Sequence, residues 1–374
     1  MRLSLVISSL GAGGAERVMC ALANAWVERG HQIELVTTHD GGAQPHFQLS
    51  PGVRRVSVDS RGTGLARQAR IVRSLRACIS AHDPDVVISF LNFTNIVTLI
   101  ACSRLRYPVI VSERLDPRVV DIGPVWTALR RVTYRRAAIL VAQTPTAARL
   151  FEPLAPGRTH VIPNPVTPPP PAADAPTVPF DSTRPTILAM GRLHEQKGFD
   201  LALQAMAEFT RSCPDGRLVI LGEGPERQRL EALRSRLGLD AVVLLPGKVA
   251  DPWPSLRAAR IFLMSSRSEG FPNALCEAMS AGLPVVSTDC PSGPSDIITP
   301  GVDGLLVPPG DVGAMAAALV QLASSEPLRT GMAEAAPRIV SRYSLESVLA
   351  AWDLALAAVG AGRVTAKPTQ SDNG

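Results

Sequence analysis

Short apolar runs alternate with longer helical patterns along this chain, in two series, with a proline-dense stretch between them. The first series is "LSLVISS" (3–9), "HQIELVTT" (31–38), "DVVISF" (85–90), "PVIVS" (108–112), "AAILVAQ" (137–143) and "HVIPN" (160–164). The second is "TILAM", "RLVILG", "AVVLLPG", "RIFLMSS", "LPVVST" and "GLLVPP". Strands that are apolar throughout, rather than alternating, belong to parallel sheets covered by helices on both faces. The segment "PNPVTPPPPAADAPTVPFDSTRP" (163–185) has too much proline for a packed element and reads as a semi-rigid linker. The fold class expected is α/β, with two doubly wound parallel-sheet domains. The boundaries expected are 1–165, a linker 166–185, and 186–343. An amphipathic helix 344–359 is expected to pack back on the first domain, ahead of a disordered tail 360–374.

The 374 residues exceed one ordinary core, and 46% apolar with 19% charged composition suits a globular chain. The N-terminal "MRLSLVISSLGAGGA" resembles a weak signal peptide, but the helical pattern that follows at once favours a first buried strand. Six cysteines without a CxxC spacing read as free thiols in a reducing compartment. Residues 1–165 carry 20 Arg, no Lys and 11 acidic residues, whereas residues 166–374 are net acidic. A basic first half fits an anionic partner or a solvated Arg-rich face, the partner being a membrane surface, a phosphorylated substrate or nucleic acid. Nucleic acid comes last, because aromatics make up only 4% of the chain.

Three motifs follow strand ends, where ligands bind in open α/β sheets. "GAGGAE" (11–16) places Gly13 and Gly14 at a helix start, where bare backbone can approach a phosphate. Its spacing puts Glu16 where a dinucleotide fingerprint needs glycine, although Asp40 after the second strand could mimic a ribose-binding acid. "MGRLHEQKG" (190–198) offers two cations, Arg192 and Lys197, suited to a diphosphate, and His194 between them reads as a solvent-facing loop residue. "SSRSEGFPNALCEAM" (265–279) holds two carboxylates, Glu269 before a helix and Glu277 within it. Eight helical residues span roughly 12 Å, comparable to the separation of a hexose and a ribose joined by a diphosphate. Glu269 on the sugar hydroxyls and Glu277 on the ribose diol would grip the two polyol ends of one extended ligand. A glycosidase carboxylate pair is the rival reading, and it leaves the cations unexplained.

With "GGAERV", "GRLHEQKGFDLALQA", "LVILGEGPERQRLEAL", "LPGKVAD" and "SEGFPNALCEAMSAGLPVVSTDCPSGPSDII", the chain resembles a GT-B glycosyltransferase of family 4. The likeness is to the bacterial branch that builds exopolysaccharide, lipopolysaccharide or other glycans on lipid carriers. It implies a retaining, metal-independent enzyme that takes a hexose or N-acetylhexosamine from a nucleotide-sugar, UDP-linked first and GDP-linked second. The acceptor implied is a lipid-diphosphate-linked saccharide, and the location the inner face of the plasma membrane, bound peripherally. No cofactor and no metal are expected.

Carried over by motif, Arg192, Lys197 and Glu269 form the catalytic set. Glu269, Gly270, Phe271, Pro272 and Asn273 meet the donor sugar, Glu277 the ribose, Val249 the base, and Gly13 and Gly14 the phosphate. Many relatives carry a first-domain histidine facing the donor. Here "ISFLNFTN" (88–95) and "VSERLDPR" (111–118) offer Asn92, Asn95, Glu113 and Arg114 instead, assigned to the acceptor side. "DPD" (83–85) matches a metal-binding DxD of a different architecture but precedes an apolar strand and reads as structural. A nicotinamide-dependent oxidoreductase and a non-catalytic nucleotide-sugar-binding protein are the alternatives.

Overall fold

The computed structural model describes all residues except 40–41, 59, 119–120, 172–184 and 365–374, and the side chains of 361–364. Asp40, most of the expected linker and most of the expected tail therefore lie outside the described residues. Two compact units emerge, Met1–Asn164 with the C-terminal helix from Glu346, and Pro165–Leu345.

The first unit is built on β1 (Arg2–Ile7), β2 (Gln32–Thr37), β3 (Val53–Ser57), β4 (Val86–Phe90), β5 (Val109–Ser112), β6 (Ile139–Ala142) and β7 (Thr159–Val161). Their spatial order is β3-β2-β1-β4-β5-β6-β7, with every pair parallel. β4, β5 and β6 are buried at every position, the pattern of a sheet covered on both faces. The sequence reading missed β3. Its residues VRRVS are half exposed, because an edge strand need bury only part of its surface.

The second unit holds β8 (Thr186–Met190), β9 (Arg217–Leu221), β10 (Val243–Gly247), β11 (Ile261–Met264), β12 (Val285–Thr288) and β13 (Gly304–Val307), in the order β10-β9-β8-β11-β12-β13. All its pairs are parallel. Two apolar clusters form its core, one including Phe199, Met206, Phe209 and Leu319 and the other Phe262, Phe271, Leu275 and Met279.

Both sheets reverse direction in the same way. The chain builds outward from the first strand on one side, then returns to its other side, so the switch points lie between β1 and β4 and between β8 and β11. Loops leaving the carboxyl ends of those strands splay apart and leave a crevice there. In the second unit these loops are the Arg192–Lys197 and Glu269 motifs.

The last helix, Leu345–Val364, runs beyond the end expected from sequence. Val348, Leu349, Trp352, Ala355 and Leu356 are buried along one stripe. Trp352 meets Trp26 edge-on and stacks on Phe90, each at 6.0 Å, and Asp353 pairs with Arg29. No helix among the described residues is long and apolar enough to cross a membrane. Asp83 and Asp85 of the DPD stretch are held by protein groups. Asp85 accepts from the Arg2 backbone N–H at 2.8 Å, and Asp83 from Arg106 and the Tyr107 hydroxyl.

Candidate active site

The second unit builds its site from the backbone up. After β8, Gly191 and Leu193 donate their N–H groups to Leu221 and Glu223 carbonyls, both at 2.9 Å, which ties this loop to the one leaving β9. That contact is possible only with glycine at 222, where a Cβ would lie 1.8 Å from the Gly191 carbonyl oxygen. A single 3-10 turn, Glu195–Lys197, follows. The exposed His194 starts it, its Nδ1 accepting from the Gln196 N–H at 3.3 Å. Gly198, at φ 63°, ends the turn and begins the helix Phe199–Ser212. A side chain at Gly198 would meet the Ser265 carbonyl oxygen at 2.1 Å, so this turn and the loop after β11 are packed backbone to backbone.

This packing brings the predicted cation and carboxylate together. Lys197 Nζ stands 2.7 Å from Glu269 Oε1, and the same oxygen accepts from Ser266 Oγ at 2.6 Å. Glu269 is nearly buried, whereas the Lys197 side chain keeps 24% of its surface exposed. The pair is thus an anchored carboxylate holding an accessible ammonium. Arg192 is exposed five residues earlier on the same loop.

Asn273 opens the helix Asn273–Ser280, and Glu277 follows one turn later, half-buried on the same side. Gly270 is partly exposed. Val249, just past β10, packs partly against the core.

Two of the predicted donor contacts, Phe271 and Pro272, are buried residues, Phe271 lying 5.7 Å edge-on from Tyr343 inside the apolar cluster. These side chains support the loop, so only their backbone can meet a ligand. Gly293 makes that possible, since a Cβ there would sit 2.9 Å from the Pro272 ring.

In the first unit, Gly13 caps the helix Gly14–Glu28 without a side chain, as expected. Sequence reasoning overlooked Glu16 as part of this turn. A Cβ on Gly13 would lie 2.2 Å from its carboxylate, so the Glu16 side chain folds over the glycines. Burial raises its pKa.

The four residues assigned to the acceptor side, Asn92, Asn95, Glu113 and Arg114, are all buried. The Asn92 side chain accepts from the Phe93 N–H at 2.7 Å. Asn95 is fully buried, accepting from Ser89 Oγ and donating to the Ser112 carbonyl and the Tyr134 hydroxyl. That hydroxyl in turn donates to Glu113. Burial pushes Glu113 up to about 7, against the lowering effects of Tyr134 and Arg130. Arg114 lies over the Phe90 ring at 3.6 Å and donates to Asn164 Oδ1, and burial brings its guanidinium down to about 9. These buried side chains are engaged with other groups of the first unit.

Two parallel, doubly wound sheets of this order, one in each unit, are the α/β architecture of the GT-B fold. Residues 13–165 match the family described as "Glycosyl transferase 4-like domain" and residues 184–325 "Glycosyl transferases group 1". The chain belongs to the GT-B glycosyltransferases of family 4. It is 27% identical over 361 residues to an N-acetylgalactosaminyltransferase of Campylobacter jejuni, with 94% of this chain and 97% of the relative covered. That relative acts on a GalNAc-GalNAc-diNAcBac-PP-undecaprenol substrate, according to its name. A lipopolysaccharide core glycosyltransferase of Rhizobium meliloti, LpsE, is 36% identical over 45% of this chain and 48% of its own length. Among solved structures, sucrose-phosphate synthase of Thermosynechococcus elongatus aligns at a TM-score of 0.83, 20% identity, over 98% of this chain and 100% of that one. HepE of Anabaena in complex with UDP aligns at 0.76 and 19%, over 96% and 100%. At these identities the structural likeness speaks for the fold.

Proposed function

We propose that this glycosyltransferase moves a hexose or N-acetylhexosamine from a UDP-sugar, or failing that a GDP-sugar, to a lipid-diphosphate-linked saccharide in cell-surface glycan assembly. The observation that carries this reading is the Lys197–Glu269 pair at the switch point of the second sheet. The C. jejuni relative, similar along nearly all of both chains, supports the lipid-linked acceptor. The structural likeness to HepE solved with UDP is compatible with the nucleotide.

In this reading Glu269 hydrogen-bonds the sugar hydroxyls and Glu277 the ribose. Charge builds on the departing nucleoside diphosphate, and Lys197, Arg192 and nearby backbone N–H groups stabilise it. The two cations supply the positive charge that a metal gives in other transferases, so transfer is proposed to be metal-independent. Attack on the face the diphosphate leaves, with that phosphate taking the acceptor's proton, retains the anomeric configuration and needs no enzymic nucleophile. The backbone at Gly13 and Gly14 remains assigned to a phosphate, which would require the Glu16 carboxylate that folds over Gly13 to swing away.

The first unit is proposed to meet the acceptor at an anionic membrane surface on the cytoplasmic side. Leu65, Val125 and Val132 are strongly exposed on the helices Gly64–His82 and Gly123–Thr133, which also carry the exposed Arg70, Arg73 and Arg131. Exposed apolar and cationic side chains on these helices suit an anionic bilayer.

The test is a panel of nucleotide-sugars screened by thermal shift, since a ligand that binds only the native state raises its stability. The best donor is then incubated with lipid-linked acceptor, with and without EDTA, and the product's anomeric configuration is read by NMR. A retained linkage that survives EDTA is expected. Inversion or loss of transfer with EDTA would overturn the mechanism, and binding without turnover would favour the non-catalytic alternative.

A further inference from the structure

The turn that carries Lys197 has no core of its own. None of Glu195, Gln196 and Lys197 is buried, so its position is set by what it is tied to. The loop after β11 supplies those ties. Ser265 Oγ donates to the Lys197 carbonyl at 2.9 Å, the Arg267 N–H to the Gln196 carbonyl at 2.7 Å, and Gln196 Nε2 to the Ser268 carbonyl at 2.9 Å.

One side chain joins this strap to the rest of the unit. Arg267 Nη1 donates to the Glu195 carbonyl at 2.9 Å. The same guanidinium grips Asp200 with both prongs, Nη1 to Oδ1 at 2.8 Å and Nη2 to Oδ2 at 2.7 Å. Asp200 sits in the first turn of the helix Phe199–Ser212, where a carboxylate also complements the helix dipole. A single exposed ion pair adds little stability, but a planar two-pronged contact fixes direction as well as distance. Here it fixes the turn that leads into Lys197 against the loop that leads into Glu269.

We propose that the Arg267–Asp200 pair is a positioning device for Lys197, setting the turn 195–197 so that the ammonium is presented to the donor diphosphate. The inference rests on the diphosphate role given to Lys197 above. Arg267 itself touches no ligand and acts through the turn. Lysine cannot replace it fully, since one ammonium cannot serve the Glu195 carbonyl and both Asp200 oxygens in one plane.

The experiment titrates UDP and UMP by calorimetry into wild type, Arg267→Gln, Arg267→Lys, Asp200→Asn, Lys197→Ala and the Arg267→Gln/Lys197→Ala double variant. GDP and GMP replace them if the protein prefers guanosine. Arg267→Gln is expected to weaken UDP about tenfold, within the range of couplings between contacting residues, while hardly moving UMP. Arg267→Lys should fall between wild type and Arg267→Gln, and Asp200→Asn should match Arg267→Gln. In the Lys197→Ala background the Arg267 substitution should add nothing.

A purely structural role would weaken UDP and UMP alike, or add its full factor without Lys197, and either result overturns the inference. If Arg267→Gln fails to fold, Arg267→Lys and Asp200→Asn carry the same comparison. Lys197→Ala without effect on UDP overturns the diphosphate role and this inference with it. Lys197→Ala weakening UDP while Arg267→Gln and Asp200→Asn do not overturns the inference alone.

Discussion

Two strand ends of this molecule carry an acid and a base close in sequence or space, and the two sets behave in opposite ways. At the end of β5, Glu113 and Arg114 are neighbours in sequence but part company. Glu113 turns to the Tyr134 hydroxyl, and Arg114 turns to the Phe90 ring and Asn164. At the ends of β8 and β11, Lys197 and Glu269 are 72 residues apart and meet at 2.7 Å. The first set is interior: Glu113 is held by the Tyr134 hydroxyl, and Arg114 bonds Asn164 through Nη1 while its buried Nε and Nη2 have no hydrogen-bond partner among the described residues. The second leaves its cation partly open to solvent. A strand's carboxyl end is therefore where a site can form, but whether it does depends on what the side chains find to bond with there.

Removing the open cation is the largest expected test of that contrast. Lys197→Ala should lower kcat/KM for the donor by about 10²- to 10³-fold, the size of loss seen when one donor that stabilises transition-state charge is deleted. Ser266 would still hold Glu269, so the thermal midpoint should move little. Steady-state nucleotide release measures the first and a melting curve the second. An unchanged kcat/KM would place the diphosphate elsewhere.

The same contrast explains what was legible in the sequence. All six strands of the second sheet were visible as short apolar runs, clearest at β8 (TILAM) and β11 (IFLM). Lys197 and Glu269 were found by position after such strands and by the need of a carboxylate for a polar partner. β3 escaped, since Arg54 and Arg55 break its apolar run and only a sheet edge tolerates that. Phe271 and Pro272 were read as donor contacts because the family resemblance carries over the whole motif from Glu269 to Asn273. Nothing in a linear string says that a loop aromatic turns inward onto Tyr343, 72 residues later. The burial of Asn95 and Glu113 was illegible for the same reason, as their partner Tyr134 lies beyond another helix.

A second test addresses the closed set through its proton. Burial lifts Glu113 from its ordinary 4.5 to about 7, so the folded state holds this proton more tightly than the unfolded one. The stability this group contributes is complete below about 4.5 and is lost as pH rises through about 7, amounting to roughly 3 kcal/mol. Glu113→Gln keeps an acceptor for the Tyr134 hydroxyl and removes the titration. Relative to wild type, the variant should gain stability between pH 5 and pH 8, read as a widening gap in urea midpoint. Parallel curves for the two proteins would show that Glu113 is ionised without penalty in the fold, and the description of this strand end as closed would fail.

The smallest effect sharpens the comparison most, because it asks whether the buried network does anything beyond holding the first unit together. The Tyr134 hydroxyl accepts from Asn95 Nδ2 at 3.2 Å and donates to Glu113. Tyr134→Phe keeps the ring that fills the core and deletes only that oxygen, leaving one buried donor and one buried acceptor short of a partner. The expected cost is about 1.5 kcal/mol, within the range for an unsatisfied buried group. Affinity for UDP should not change if, as proposed, the donor is held by the second unit, since this network lies in the first. A Tyr134→Phe protein that is as stable as wild type, or that binds UDP less tightly, would contradict the division drawn here between a strand end that holds the fold and one that holds the ligand.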